Sequence, residues 1–239
     1  MSVITVENLY KNYKTKCALN GVSLQIKEGA LHGLLGVNGA GKTTLIKILC
    51  GLTKKTSGKV FVNGFDLDTN AEKIKEIIDI SPQETSIANN LTVLENLQFF
   101  ANIYGTNTEQ HLNGIIETFS LKEILNQTAK TLSGGYKRRL SIAVALISKP
   151  KILFLDEPTL GLDVFARREL WKIIQKLKGK ITIILTSHYL EEIENLCDEV
   201  SILSSGNLLK TGTVNKLKLD TNSQTFEESF IKLVEANNE

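Results

Sequence analysis

The sequence predicts an α/β fold: a mostly parallel sheet, an N-terminal antiparallel β subdomain and an inserted helical subdomain. Three observations predict it. After residue 150, strand-like and helix-like runs alternate, and the strand-like runs are nearly all apolar, as in a parallel sheet buried on both faces. The first 65 residues carry short strand-like runs divided by turn-prone pieces. Between the two, from about residue 92 to 125, apolar residues recur at helical spacing, within an insertion read at about 84–150.

In order, strands are expected at 3–7, 22–26, 31–35 and 60–62, with Lys27-Glu28-Gly29 and Asn63-Gly64 as turns. A helix follows Gly41 through Leu45, Ile46, Ile48 and Leu49. Thr92-Val93-Leu94-Glu95 fits a capping box, with Thr92 as the cap and Glu95 reaching back. Leu94, Leu97, Phe100, Ala101 and Tyr104 then make an apolar stripe, and a second helix carries Leu112, Ile115, Ile116 and Phe119. Ser133 is placed to cap a further helix, whose apolar side is Tyr136, Leu140, Ala143, Val144 and Ile147. A strand at 152–155, a helix at 164–177, a strand at 181–185, a helix at 190–196 and a strand at 200–203 follow. An amphipathic helix at 226–234 ends the chain. The reading is one domain over 1–239, with a helical insertion at 84–150 and a helical tail at 213–239.

Composition narrows the function. A chain of 239 residues can bury a sizeable core, and 42% apolar with 23% charged residues argues against disorder. The charges, 28 basic against 26 acidic, leave only +2. A protein that grips nucleic-acid phosphates usually carries a larger or more localised excess, so no nucleic-acid partner is expected. The longest uninterrupted apolar run is the six residues 142–147. A spanning helix needs roughly 20, so none is expected. The first seven residues show no basic stretch followed by an apolar one, so no secretory signal is read. Cys17, Cys50 and Cys197 form no C-x-x-C pair, which argues against a disulfide framework or a structural zinc and suits a reducing cytosol. Lys137, Arg138 and Arg139 are read as a solvated helix face, as are Glu191, Glu192, Glu194, Asp198 and Glu199.

Three segments carry chemistry. Residues 36–43 read Gly-Val-Asn-Gly-Ala-Gly-Lys-Thr and fit G-x-x-x-x-G-K-[ST], after an apolar strand and before a helix. Glycines let backbone N–H groups surround phosphate oxygens, and the positive end of the following helix points at the same place. The candidate contacts are Gly36, Asn38, Gly39, Ala40, Gly41, Lys42, Thr43 and Thr44. Lys42 can reach β- and γ-phosphates, and the Thr43 hydroxyl can ligate Mg²⁺. Residues 151–157 form an apolar strand ending in Asp156 and Glu157, at the carboxyl end where open α/β sheets bind ligands. Asp156 suits Mg²⁺ through water, and Glu157 suits a group that polarises attacking water. Ser133, Gly134 and Gly135 open a helix and offer a second anion site. Two phosphate-seeking sites in one chain suggest a nucleotide sandwiched between two copies.

Over essentially its whole length the chain resembles the ATP-binding subunit of an ABC transporter. The resemblance implies a P-loop NTPase core. Residues 36–43 resemble that family's Walker A motif, Leu132-Ser133-Gly134-Gly135-Tyr136 its signature, Phe154-Leu155-Asp156-Glu157 its Walker B end with the catalytic glutamate, and Leu160-Gly161-Leu162-Asp163 its D-loop. By the same resemblance Gln83 is similar to the Q-loop glutamine that senses Mg²⁺ and the attacking water. His188 is similar to the switch histidine at the γ-phosphate. Tyr13 is similar to the aromatic that stacks on adenine, with Tyr10 as a rival. Tyr136 stands where many members have glutamine. With Lys137-Arg138-Arg139-Leu140 after it, it resembles the branch serving exporters of drugs, lipids or polysaccharides. The resemblance therefore implies an ATPase using ATP and Mg²⁺ at the cytoplasmic face of the membrane. A separate integral membrane permease would be its partner, along with a second copy or a related ATPase subunit. An ABC-type ATPase acting on DNA, or a soluble regulatory module, is the alternative.

Overall fold

The computed structural model describes residues 1–14 and 16–237; residues 238 and 239 of the expected tail lie outside the described residues. The chain begins with β1 (Ser2–Tyr13), β2 (Lys16–Lys27), β3 (Leu31–Leu35), α1 (Lys42–Leu49), β4 (Ser57–Val62) and β5 (Phe65–Asp66). Then come α2 (Ala71–Lys75), β6 (Ile78–Ser81), α3 (Val93–Ile103), α4 (Glu109–Thr118), α5 (Gly134–Ile147), β7 (Ile152–Asp156) and α6 (Val164–Leu177). The last elements are β8 (Thr182–Ser187), α7 (Leu190–Leu196), β9 (Glu199–Ser204), β10 (Asn207–Gly212), α8 (Val214–Asp220) and α9 (Phe226–Glu235).

Among the described residues the strands form two sheets. One is antiparallel, in the order β2-β1-β4-β5; the other runs β10-β9-β3-β8-β7-β6 and is parallel except for β10. The parallel strands alternate their side chains between two cores. Leu34, Ile152, Phe154 and Ile184 face the antiparallel sheet, with α1 between the layers. Leu31, Leu35, Leu153, Leu155, Ile183 and Leu185 face the other way, toward α3 to α7. Both faces are dry, so the central strands carry apolar residues on both sides. The helices of the 84–150 region share that second core with the sheet, so their burial and the sheet's are one packing problem.

Several elements differ from expectation. β1 and β2 run well beyond 3–7 and 22–26. Asn8 adopts φ +47°, and the pairing of β1 slips between Val6 and Leu9. That bulge breaks the two-residue alternation while pairing continues beyond it. β10 was not expected; it returns against β9 through Ser205 and Gly206, both at positive φ, as a tight two-residue hairpin requires. α3 has the expected capping box, but its buried face is Val93, Asn96, Leu97 and Ala101. Tyr104 is half exposed, and Asn96 is buried because its side chain bonds the backbone of Ala88 and Thr92.

Candidate nucleotide site

Register explains why distant segments meet. In the parallel sheet Leu35 lies opposite Ser187, Asp156 opposite Thr186, and Ser81 opposite Leu155. The residues that leave β3, β7, β8 and β6 at their carboxyl ends therefore converge at one edge. These are the glycine-rich loop, Glu157, His188 and Gln83. They line a cleft of about 420 Å³ together with Tyr13, Lys16, Ala18, Asn38, Gly39, Ala40, Gly41, Lys42, Thr43, Thr44 and Leu160.

The loop is shaped by its glycines. Gly41 caps α1 at φ +105°, and a Cβ there would lie 2.7 Å from the Ala18 carbonyl, so only glycine fits. A Cβ on Gly36 would lie 2.4 Å from the Leu203 carbonyl. Gly36 is thus buried at the root of the loop and does not line the cleft.

Lys42 is 6% exposed, and its ammonium donates to the carbonyls of Gly36 and Val37. It also lies 3.5 Å from Glu157 Oε1. The other carboxylate oxygen of Glu157 accepts from His188 Nδ1 at 2.6 Å. Asp156 Oδ1 accepts from Thr186 Oγ1 at 2.6 Å and from Thr43 Oγ1 at 3.3 Å. The Thr186 hydroxyl in turn accepts from the Glu157 N–H at 2.9 Å. Thr43 and Asp156 thus offer hard oxygen donors side by side. Among the described residues no cluster of three or more His, Cys, Asp or Glu forms a metal cage. That donor set suits Mg²⁺, which keeps its waters and is held by one or two protein oxygens plus phosphates.

Of the expected site residues, Ser133, Gly134 and Gly135 stand apart from the cleft. Ser133 and Gly134 are exposed, and the Ser133 hydroxyl caps α5 by accepting from the Tyr136 N–H. Gly135 packs closely on α6: a Cβ there would lie 3.0 Å from Ala166 Cβ, tighter than ordinary contact. Tyr136 is partly buried against the larger core, with the Arg139 guanidinium 5.1 Å from its ring centre. Tyr13 lines the cleft, 44% exposed, with Lys11 Nζ 4.5 Å from its ring centre. Tyr10 lies off the cleft, with its hydroxyl against Gly21.

Two surface assignments are corrected. Arg138 is 4% exposed and makes five hydrogen bonds to backbone carbonyls, because α5 is buried almost all round at that turn. Glu192 is fully buried, and its carboxylate accepts from Trp171 Nε1 at 3.0 Å. Burial pushes its pKa up, and repulsion from Glu157 adds to the shift. Thr186 was not singled out from sequence; its role as a bracket between Asp156 and Glu157 follows from the strand register.

A glycine loop at a helix start, a lysine aimed into it and two carboxylates at the neighbouring strand end define a nucleoside-triphosphate-binding α/β protein. The sequence pattern of the ABC transporter family matches residues 19–160. The chain belongs to that family. It is 37% identical over 235 residues to the linearmycin resistance ATP-binding protein LnrL of Bacillus subtilis, covering 97% of this chain and 74% of that one. It is 37% identical over 242 residues to the probable multidrug ABC transporter ATP-binding protein YbhF of Escherichia coli. That match covers 98% of this chain but spans only 42% of YbhF. A solved ATP-binding subunit of an ABC transporter superposes with a TM-score of 0.85 at 28% identity, covering 97% of this chain and 99% of that one. The ATP-binding cassette MJ0796, described as dimeric in a post-hydrolysis state with ADP and Pi, gives 0.78 at 25% identity over 88% and 98%.

Proposed function

We propose that the chain binds and hydrolyses ATP to power transport through a separate membrane permease, in the export direction. One observation carries this reading. Lys42, Thr43 and Glu157 line one cleft, with Asp156 bonded to Thr43 beneath it, while Ser133 and Gly134 are presented to solvent away from it. A nucleotide held by the loop of one copy would then meet the α5 start of a second. The loop residues Gly36, Asn38, Gly39, Ala40, Gly41, Lys42, Thr43 and Thr44 would shape or contact the phosphate site. Thr43, Asp156 and Gln83 would hold Mg²⁺, which would neutralise phosphate charge. Glu157 would activate water, with His188 holding its carboxylate in place. The resistance and multidrug names of the relatives support export. Among the described residues no helix is long and apolar enough to cross a membrane, which is why a permease is invoked. Residues 84–150 would form the permease-facing subdomain and 213–239 the tail.

Adenine recognition gives a first check. Tyr13→Ala should weaken ATP binding by roughly 1–3 kcal/mol, the size of a base–aromatic stack. Tyr10→Ala should leave it unchanged, because Tyr10 is off the cleft. Titration of a fluorescent ATP analogue reads both, and the reverse pattern would exchange the two assignments.

Transport itself is tested at α3. Phe99 and Ile103 are 48% and 60% exposed on one side of it, an apolar surface suited to a short amphipathic helix of the permease. Photo-crosslinkers at these positions, in membranes of the native cell, should capture a multi-spanning membrane protein. A crosslinker at Lys59, on the exposed side of β4, should not. Capture from Lys59 alone would refute the docking face.

A further inference from the structure

Arg138 uses its whole guanidinium on backbone. Nε donates to the Pro158 carbonyl at 2.7 Å, and Nη2 donates to those of Asp156 and Glu157 at 2.7 and 2.8 Å. Nη1 donates to the carbonyls of Pro82 and Gln83. Five bonds match the five N–H groups that an arginine owns. Burial lowers its pKa to about 10, so it stays charged at neutral pH.

The carbonyls are not scattered. Three belong to consecutive residues at the end of β7, and two to the loop that leaves β6. The middle residue of the first group, Glu157, adopts φ +50°. A side-chain-bearing residue held in that region costs about 1–3 kcal/mol and persists only where its surroundings fix it. Arg138 fixes it by gripping the carbonyls of Glu157 and of both its neighbours. The guanidinium also rides on α5, five residues from Ser133, roughly 7 Å along a helix axis.

In the two-copy sandwich, the start of α5 meets the nucleotide held by the other copy. We infer that Arg138 is a positioning residue that couples the two nucleotide sites. Seating α5 on the partner's ATP sets the turn that aims this copy's own Glu157, and the loop that carries its Gln83. The inference rests on the sandwich reading.

The full chain with Arg138→Lys or Arg138→Gln tests it. Lysine keeps the charge but offers three donors without the fork; glutamine offers two and no charge. Arg138 does not line the cleft, so ATP affinity of the isolated chain should be unchanged. The kcat should fall about 10²-fold, the cost of misplacing reacting groups, with little change in KM. The dependence of rate on ATP should lose its cooperativity in both variants. Wild-type kcat and cooperativity in both would overturn the coupling. A wild-type chain that neither hydrolyses ATP nor dimerises in its Glu157→Gln form would instead overturn the sandwich.

A second measurement leaves Arg138 intact and so does not depend on how its variants fold. Two copies carrying Glu157→Gln are mixed, one with Lys42→Ala and the other with Ser133→Arg. The one complete site joins the loop of the second to α5 of the first. With MgATP, amide hydrogen exchange at Gln83, Asp156 and residue 157 of the Lys42→Ala copy should slow about five-fold or more, a typical coupling between sites. Slowing at Gly134, Gly135 and Tyr136 of that copy without slowing at those three positions would overturn the coupling. No slowing at Gly134 to Tyr136 would count against the sandwich.

Discussion

Lys42→Ala should abolish ATP hydrolysis and weaken ATP binding by about 2–5 kcal/mol, roughly 30- to 5,000-fold, as losing one member of a buried charge pair does. The size follows from how the lysine is held. Its side chain is 6% exposed, and the Gly36 and Val37 carbonyls aim the ammonium across the loop that would receive phosphate. An anion arriving there finds a cation already oriented and largely stripped of water, so little reorganisation is needed. Alanine leaves the loop backbone and the start of α1, and these alone cannot balance the charge of a triphosphate. The same change leaves Glu157 without its nearest lysine, 3.5 Å away, so its carboxylate repels the incoming nucleotide unopposed. Both losses act in the same direction. Nucleotide titration and phosphate release measure them, and normal turnover by Lys42→Ala would remove this cleft as the site of chemistry.

How much of this could be read from the chain depends on how local each feature is. The glycine loop is legible because its groups lie within eight consecutive residues flanked by a strand and a helix. β7 and β8 are legible because both their faces are dry, which leaves an apolar run. Helices α6 and α7 begin and end where their patterns say, α6 because Asp163 caps it by accepting from the Ala166 N–H. The second half of β1 is not legible, because the bulge at Asn8 interrupts its alternation while pairing continues. Arg138 is hidden for a different reason. Three consecutive cations look alike in sequence, and only the packing of α5 between its neighbours makes one of them interior. Glu192 follows the same logic, since it is buried against Trp171 while Glu191 and Glu194 on the same helix are exposed. Thr186 matters only because the parallel register sets it opposite Asp156. The choice between Tyr10 and Tyr13 likewise needs the path of β1 beside the cleft.

Glu157→Gln should behave oppositely to Lys42→Ala toward binding. It should cut hydrolysis by about 10²–10⁴-fold, the usual loss when a general base is removed, while holding ATP at least as well as wild type. Glutamine keeps the side-chain shape but not the charge. Lys42 then loses its carboxylate partner at 3.5 Å and is left free for phosphate. A γ-phosphate placed beside residue 157 no longer meets a like charge. Thr43 and Thr186 both still donate to Asp156, so the oxygen donors suited to Mg²⁺ are untouched. Bound but unhydrolysed ATP should then hold two copies together, each loop closed by the other copy's Ser133, Gly134 and Gly135. Size-exclusion chromatography with light scattering should show a dimer with MgATP and a monomer without it. Ser133→Arg in the same chain should abolish that dimer, because Ser133 is exposed and the added bulk projects where the second nucleotide would sit. The double variant should still bind ATP as a monomer, which separates loss of closure from loss of the loop. A Glu157→Gln chain that stays monomeric while saturated with ATP would exclude a homodimeric sandwich. The place of the second copy would then pass to a related subunit with its own signature helix.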